Sequence, residues 1–121
     1  MLKDLVRGAL TLVGLMPRPD IVTRPAPEQP EEMRDGLLYL IAGRSGPKWA
    51  GFLCPCGCGE RILLSLSQER RPRWSVDADW FGRPTVTPSV RQTDGCMSHY
   101  WVRKGRVDWC RDSGVGKKVG G

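Results

Sequence analysis

A cysteine-dense turn, Cys54-Pro55-Cys56-Gly57-Cys58-Gly59-Glu60, is answered far along the chain by Cys96-Met97-Ser98-His99. Four of the five cysteines and the only histidine lie in these two short segments. Any fold must bring them together if they share a metal ion, and thiolate and imidazole are the donors that tetrahedral zinc takes best. Alternation along an extended segment puts Cys54, Cys56 and Cys58 on one side, and Gly57 and Gly59 let the backbone curl around an ion. Neighbouring cysteines separated by one residue are too close for ordinary disulfides, and five cannot all pair in one chain. Thiolate ligation in a reducing cytoplasm therefore fits better than a secreted disulfide framework. Two ligand sets remain open. Either Cys54, Cys56, Cys58 and Cys96 form a four-cysteine site, or two of the turn cysteines bind with Cys96 and His99. Cys110 is read as a plain, part-buried thiol.

The chain has 121 residues, enough for one domain with a modest core, to which a zinc ion would add stability. Its net charge of +6 and pI near 9.4 suit acidic partners without choosing among them. No apolar run is long enough to cross a membrane. Lys3, Arg7 and the apolar residues after them look like a secretory leader, but Pro17-Arg18-Pro19 stands where a small-residue cleavage site would be needed. Leu2, Leu5, Val6, Ala9, Val13 and Met16 fall at helical spacing and predict an amphipathic helix over 1–16. Five prolines between Pro17 and Pro30 predict an extended spacer over 17–35.

From residue 36 onward the pattern is strand-like. Apolar runs at 37–42, 49–53 and 61–66 flank the cysteine turn, which predicts a hairpin carrying a zinc knuckle at its tip. Residues 74–80 alternate, with Trp74, Val76, Ala78 and Trp80 on one face, and Thr85–Thr87 is a short strand stopped by Pro88. His99–Arg103 and Arg106–Cys110 are joined by Lys104-Gly105, a strong two-residue hairpin signal. The expected fold is mainly β, a small antiparallel sheet of hairpins with one N-terminal helix, α+β at the margin. Its zinc-binding domain covers 36–110, and a glycine- and lysine-rich flexible tail covers 111–121.

Ser89 follows Thr87-Pro88 and lies ten residues before His99. A serine becomes a nucleophile when a base is in hydrogen-bond reach and a third group orients that base. His99 is the sole conventional base, and Asp94, Asp108 or Glu60 could orient it. A different chemistry, zinc-dependent hydrolysis, would use three protein ligands, a water and Glu60 as general base. A third reading is a non-catalytic zinc module: clustered arginines and five tryptophans fit single-stranded nucleic acid in composition, although no nucleic-acid signature is present.

The ordered motifs Cys54-Pro55-Cys56-Gly57-Cys58-Gly59, Trp74, Thr87-Pro88-Ser89-Val90, Cys96-Met97-Ser98-His99-Tyr100-Trp101-Val102 and Gly105 to Trp109 resemble a small bacterial family, BubE. Its members occur beside ubiquitin-like conjugation (Bub) genes. The likeness covers about residues 36–110. It implies a peptidase-like role in processing ubiquitin-like precursors or removing them from targets. The partners it implies are a ubiquitin-like protein and its conjugates, with E1- and E2-like enzymes as further candidates. On that implication Ser89 is the nucleophile and His99 the base, with Asp94 as the guessed orienting acid. Cys54, Cys56, Cys58 and Cys96 then hold one structural zinc ion. The terminal Gly120-Gly121 looks like a ubiquitin-like C-terminus, but in a glycine-rich stretch it reads more simply as tail.

Overall fold

The computed structural model describes residues 18–114, so the helix expected over 1–16 and the Gly-Gly end lie outside the described residues. Among those described, the chain forms eight strands and no helix. One sheet has the order β1 (Val22–Ala26), β2 (Leu37–Gly43), β3 (Gly46–Leu53) and β4 (Arg61–Ser65). The other has β5 (Ser75–Ala78), β6 (Pro84–Arg91), β7 (His99–Arg103) and β8 (Arg106–Trp109). All pairings are antiparallel except that of β1 with β2.

The two sheets share one core. Leu38, Ala50, Phe52, Cys54, Ile62 and Leu64 from the first meet Val86, Val90, Tyr100 and Val102 from the second. Alternation decides which residues point inward, and the opposite face of β6 and β7 is left to Thr87, Ser89, His99 and Trp101. β2 does not alternate because both of its faces are covered. Leu38 enters the main core, while Tyr39 and Ile41 pack with Ala26 and Met33 on the other side.

Three stretches depart from the sequence reading. The segment read as a spacer over 17–35 contains β1, which adds to the edge of the first sheet, where Pro25 removes no inner ladder bond. Its start is also tied down, since the Asp20 and Ile21 amides both donate to the Gly105 carbonyl, at 2.7 and 3.0 Å. In addition, β6 does not stop at Pro88. It runs to Arg91 through a register shift between Val86 and Val90. The alternation at 74–80 ends early for a clear reason. Asp79 turns its carboxylate onto the Phe81 and Arg83 amides, at 3.0 and 2.9 Å, and closes the β5–β6 loop, leaving Trp80 exposed.

Candidate active site

Ser89 owes its position to the irregularity in β6. Val86 faces Val102 and Val90 faces Tyr100, so Thr87, Pro88 and Ser89 lie opposite the single residue Trp101. Such a bulge breaks the ladder and re-aims the side chains it carries. The Trp74 indole N–H donates to the Ser89 carbonyl at 3.2 Å and anchors the bulge from the neighbouring segment.

His99 begins β7, with Arg91 opposite it on β6. Its Nε2 lies 3.0 Å from Ser89 Oγ, and its Nδ1 lies 2.6 Å from Asp112 Oδ1. The carboxylate fixes the tautomer: Nδ1–H donates to Asp112, which leaves Nε2 to accept the Ser89 hydroxyl proton. Arg91 Nη2 stands 3.0 Å from Nδ1, but two donors do not bond each other, so its partner is Asp112 Oδ2. The His99 hydrogen bond, joined by that of Arg91, holds the Asp112 carboxyl below its ordinary value. Asp112 therefore stays an anion facing the ring.

The acid on Nδ1 is thus Asp112 and not Asp94, whose carbonyl accepts the Met97 amide at 3.2 Å in the turn before β7. Residues 111–114, read from the sequence as the start of a flexible tail, close back onto β7. The Cys110 amide donates to the His99 carbonyl at 2.9 Å, the His99 amide to Ser113 Oγ at 3.0 Å, and the Gly114 amide to the Met97 carbonyl at 2.8 Å. Ser113 is buried as a result.

The cysteine turn joins β3 to β4, with the Cys54 amide donating to the Glu60 carbonyl at 2.9 Å. Gly57 and Gly59 both adopt positive φ, at 90° and 83°. The sulfurs of Cys54, Cys56, Cys58 and Cys96 lie within 4.8 Å of one another, and His99 is not among them. Cys54 Sγ is 3.4 Å from Cys56 Sγ and 3.7 Å from Cys96 Sγ. Tetrahedral zinc with Zn–S bonds of about 2.3 Å needs sulfurs about 3.8 Å apart. The four-cysteine set therefore fits a zinc-sized ion, and the set that includes His99 does not.

The charge state of the cluster also suits a cation. Burial pushes the Cys54 thiol up, through desolvation first and the neighbouring thiols after it. Burial opposes ionisation of Cys56 too, but hydrogen bonds from the Cys58 and Cys54 thiols and the Cys58 amide bring it down to about 6. The Cys56 thiolate forms readily while Cys54 and Cys58 resist, and a bound cation would favour the ionised thiols. The cluster is also backed by Ser98 Oγ, 3.1 Å from Cys96 Sγ, and by the Cys58 amide, 3.3 Å from Cys56 Sγ.

A family model described as bacterial ubiquitination-like system serine protease (BubE) matches residues 25–110. The chain belongs to this family. No curated protein and no solved structure matches it. The BubE match includes Ser89, His99 and all four clustered cysteines but ends before Asp112. No helix among the described residues is long and apolar enough to cross a membrane.

Proposed function

We propose that the chain is a zinc-braced serine peptidase acting on a ubiquitin-like protein or its conjugates, with Ser89 as nucleophile, His99 as general base and Asp112 as orienting acid. The observation that carries this reading is the unbroken line from Ser89 Oγ to His99 Nε2, 3.0 Å, and from His99 Nδ1 to Asp112, 2.6 Å. Three side chains from a strand bulge, a strand start and a turn meet in the order that acyl transfer needs. The family description supports the same chemistry.

In this mechanism Ser89 Oγ attacks the carbonyl carbon of the C-terminal glycine of the ubiquitin-like protein, whose bond to the amine of the following residue or target breaks. His99 Nε2 takes the serine proton and later delivers it to the leaving amine. Asp112 holds Nδ1–H and stabilises the imidazolium between those steps. Arg91 keeps Asp112 turned to the ring. Backbone amides near Ser89 would stabilise the oxyanion. Water then attacks the acyl-serine with His99 again as base. Cys54, Cys56, Cys58 and Cys96 would hold zinc as a structural brace. Four thiolates fill a tetrahedral ion and leave no position for a reacting water, which argues against the alternative with Glu60 as base.

The test is cleavage of a fusion whose ubiquitin-like C-terminus is followed by a reporter peptide. Ser89→Ala is expected to abolish cleavage while zinc content and far-ultraviolet circular dichroism stay those of the parent. Full cleavage by that variant would end the serine mechanism.

A further inference from the structure

Cys110 takes no part in the four-cysteine cluster or in the Ser89–His99–Asp112 line, yet its place is well defined. Its amide is bonded to the His99 carbonyl, and its sulfur lies within 4.8 Å of donor atoms on both His99 and Asp112. An imidazole nitrogen, a thiol and a carboxylate thus converge on one point beside the proposed catalytic base. Nitrogen, sulfur and oxygen in this number are the ligands of an open three-residue zinc site, with water completing the tetrahedron. Access is not obstructed, since the Asp112 side chain is 56% exposed and that of His99 is 17% exposed. Among the described residues, Arg91 and Arg103 both bring positive charge to bear on Cys110, and the Arg91 guanidinium is paired with Asp112 at an exposed edge.

We propose that His99, Cys110 and Asp112 form a second zinc site, weaker than the four-cysteine site, and that zinc there switches the peptidase off. The inhibition rests on the serine reading above, whereas the binding does not. An ion at this point takes the lone pair of Nδ1, the nitrogen facing Asp112. Cys110 binds as thiolate and its proton leaves to solvent. The proton of His99 moves from Nδ1 to Nε2, so the ring stays neutral. Nε2 then presents an N–H to Ser89 Oγ and can no longer accept its proton. Asp112 is at the same time diverted from ring to metal, and Arg91 is displaced from the ring edge. No covalent bond to carbon changes, so withdrawal of the ion restores the resting tautomer. Chains with this triad but no thiol at the position of Cys110 would lack the switch.

Two readouts on the full chain test this, with one zinc already in the four-cysteine site. The first is zinc bound at equilibrium dialysis against buffered free zinc, carried past saturation of that site. The parent is expected to take up two ions and Cys110→Ala one, with Cys110→Ser as a second variant in case alanine disturbs the fold. One ion in all three proteins, or two in all three, overturns the site. The second readout is the rate at which Ser89 is labelled by an aryl phosphonate, with and without the added zinc. Zinc is expected to slow labelling of the parent at least about tenfold, as a misplaced imidazole tautomer does in serine peptidases, and to be reversed by chelation. In Cys110→Ala the ratio of the two rates should stay near unity. Equal slowing in parent and variant, or faster labelling with zinc, overturns the switch. If Ser89 is not labelled even without zinc, the serine reading fails, and the ion count still decides the metal site.

Discussion

At the scale of single residues, the proposed site depends on Asp112, and this gives a sharp comparison. Asp112→Asn keeps the shape but replaces the acceptor of Nδ1–H with an amide that can donate to the ring. It is expected to reduce kcat by up to about 10⁴ with little effect on KM, because it disturbs the tautomer and not the binding surface. Asp94→Asn, the substitution that the sequence alone would have selected, should leave kcat within about twofold, as surface changes away from a site do. Steady-state kinetics on the two variants separates them. The contrast also shows what was legible. Ser89, His99 and the four cysteines stand in local motifs that marked them as candidates, but spacing left the ligand set open, and the roles came from the resemblance to BubE. Asp112 stands in no motif and its role comes from register. Lys104 and Gly105 form a hairpin turn with positive φ at both residues, 49° and 78°, and so pair Tyr100 with Trp109. One further step along that ladder sets Cys110 against His99, and Asp112 follows where the chain turns back. That signal was present in the sequence, but reading 111–121 as tail hid it.

At the scale of elements, the bulge in β6 and the loops around it set the geometry. A proline in an inner strand usually argues against the strand, which is why Thr85–Thr87 looked like a fragment. Here the proline sits in the bulge, where ladder bonds are already lost, and the strand resumes beyond it to bring Val90 back into the core. The loop feeding β6 is closed by Asp79, which accepts the Phe81 and Arg83 amides and holds Arg83 Nε at 2.6 Å. Asp79→Ala is expected to cost about 1–3 kcal/mol of stability, since it strands two amides and a guanidinium. Burial raises the Asp79 carboxyl, but the Arg83 amide and guanidinium and the Phe81 amide outweigh it, and the net shift is downward. A carboxyl held low in the folded state stabilises it above the ordinary value near 3.9 and loses that contribution as pH falls through the lowered value. The difference between parent and Asp79→Ala in urea denaturation should therefore be full at pH 7 and shrink below about pH 4.

At the scale of the whole molecule, the cysteine cluster and the Ser89–His99–Asp112 line are one mechanical unit. Cys96 begins the segment that reaches His99 three residues later, and Ser98 between them backs the sulfurs with no exposure to solvent. The same segment holds the turn that carries Asp112, through the Met97 carbonyl and the Gly114 amide. Gly114 packs so closely there that a Cβ would run into the Cys96 carbonyl. An ion joining Cys54, Cys56 and Cys58 to Cys96 would thus fix the base directly and the acid through one hydrogen-bonded turn. Two outcomes follow from this geometry. Stripping zinc with a tight chelator, or replacing Cys96 with alanine, should lower the thermal midpoint by about 5 °C for each kcal/mol of metal stabilisation lost, as expected for a domain this small. Cleavage should fall with it at temperatures where the domain is still folded, because the 96–99 segment loosens before the core melts. Gly114→Ala should separate the two effects. It leaves all four sulfurs in place, so zinc content should match the parent. The added methyl must push the 112–114 turn off the Cys96 carbonyl and carry Asp112 away from Nδ1, so kcat should drop at unchanged zinc stoichiometry. A Gly114→Ala enzyme with parental kcat would mean that the turn is held from elsewhere and that the cluster braces the base alone.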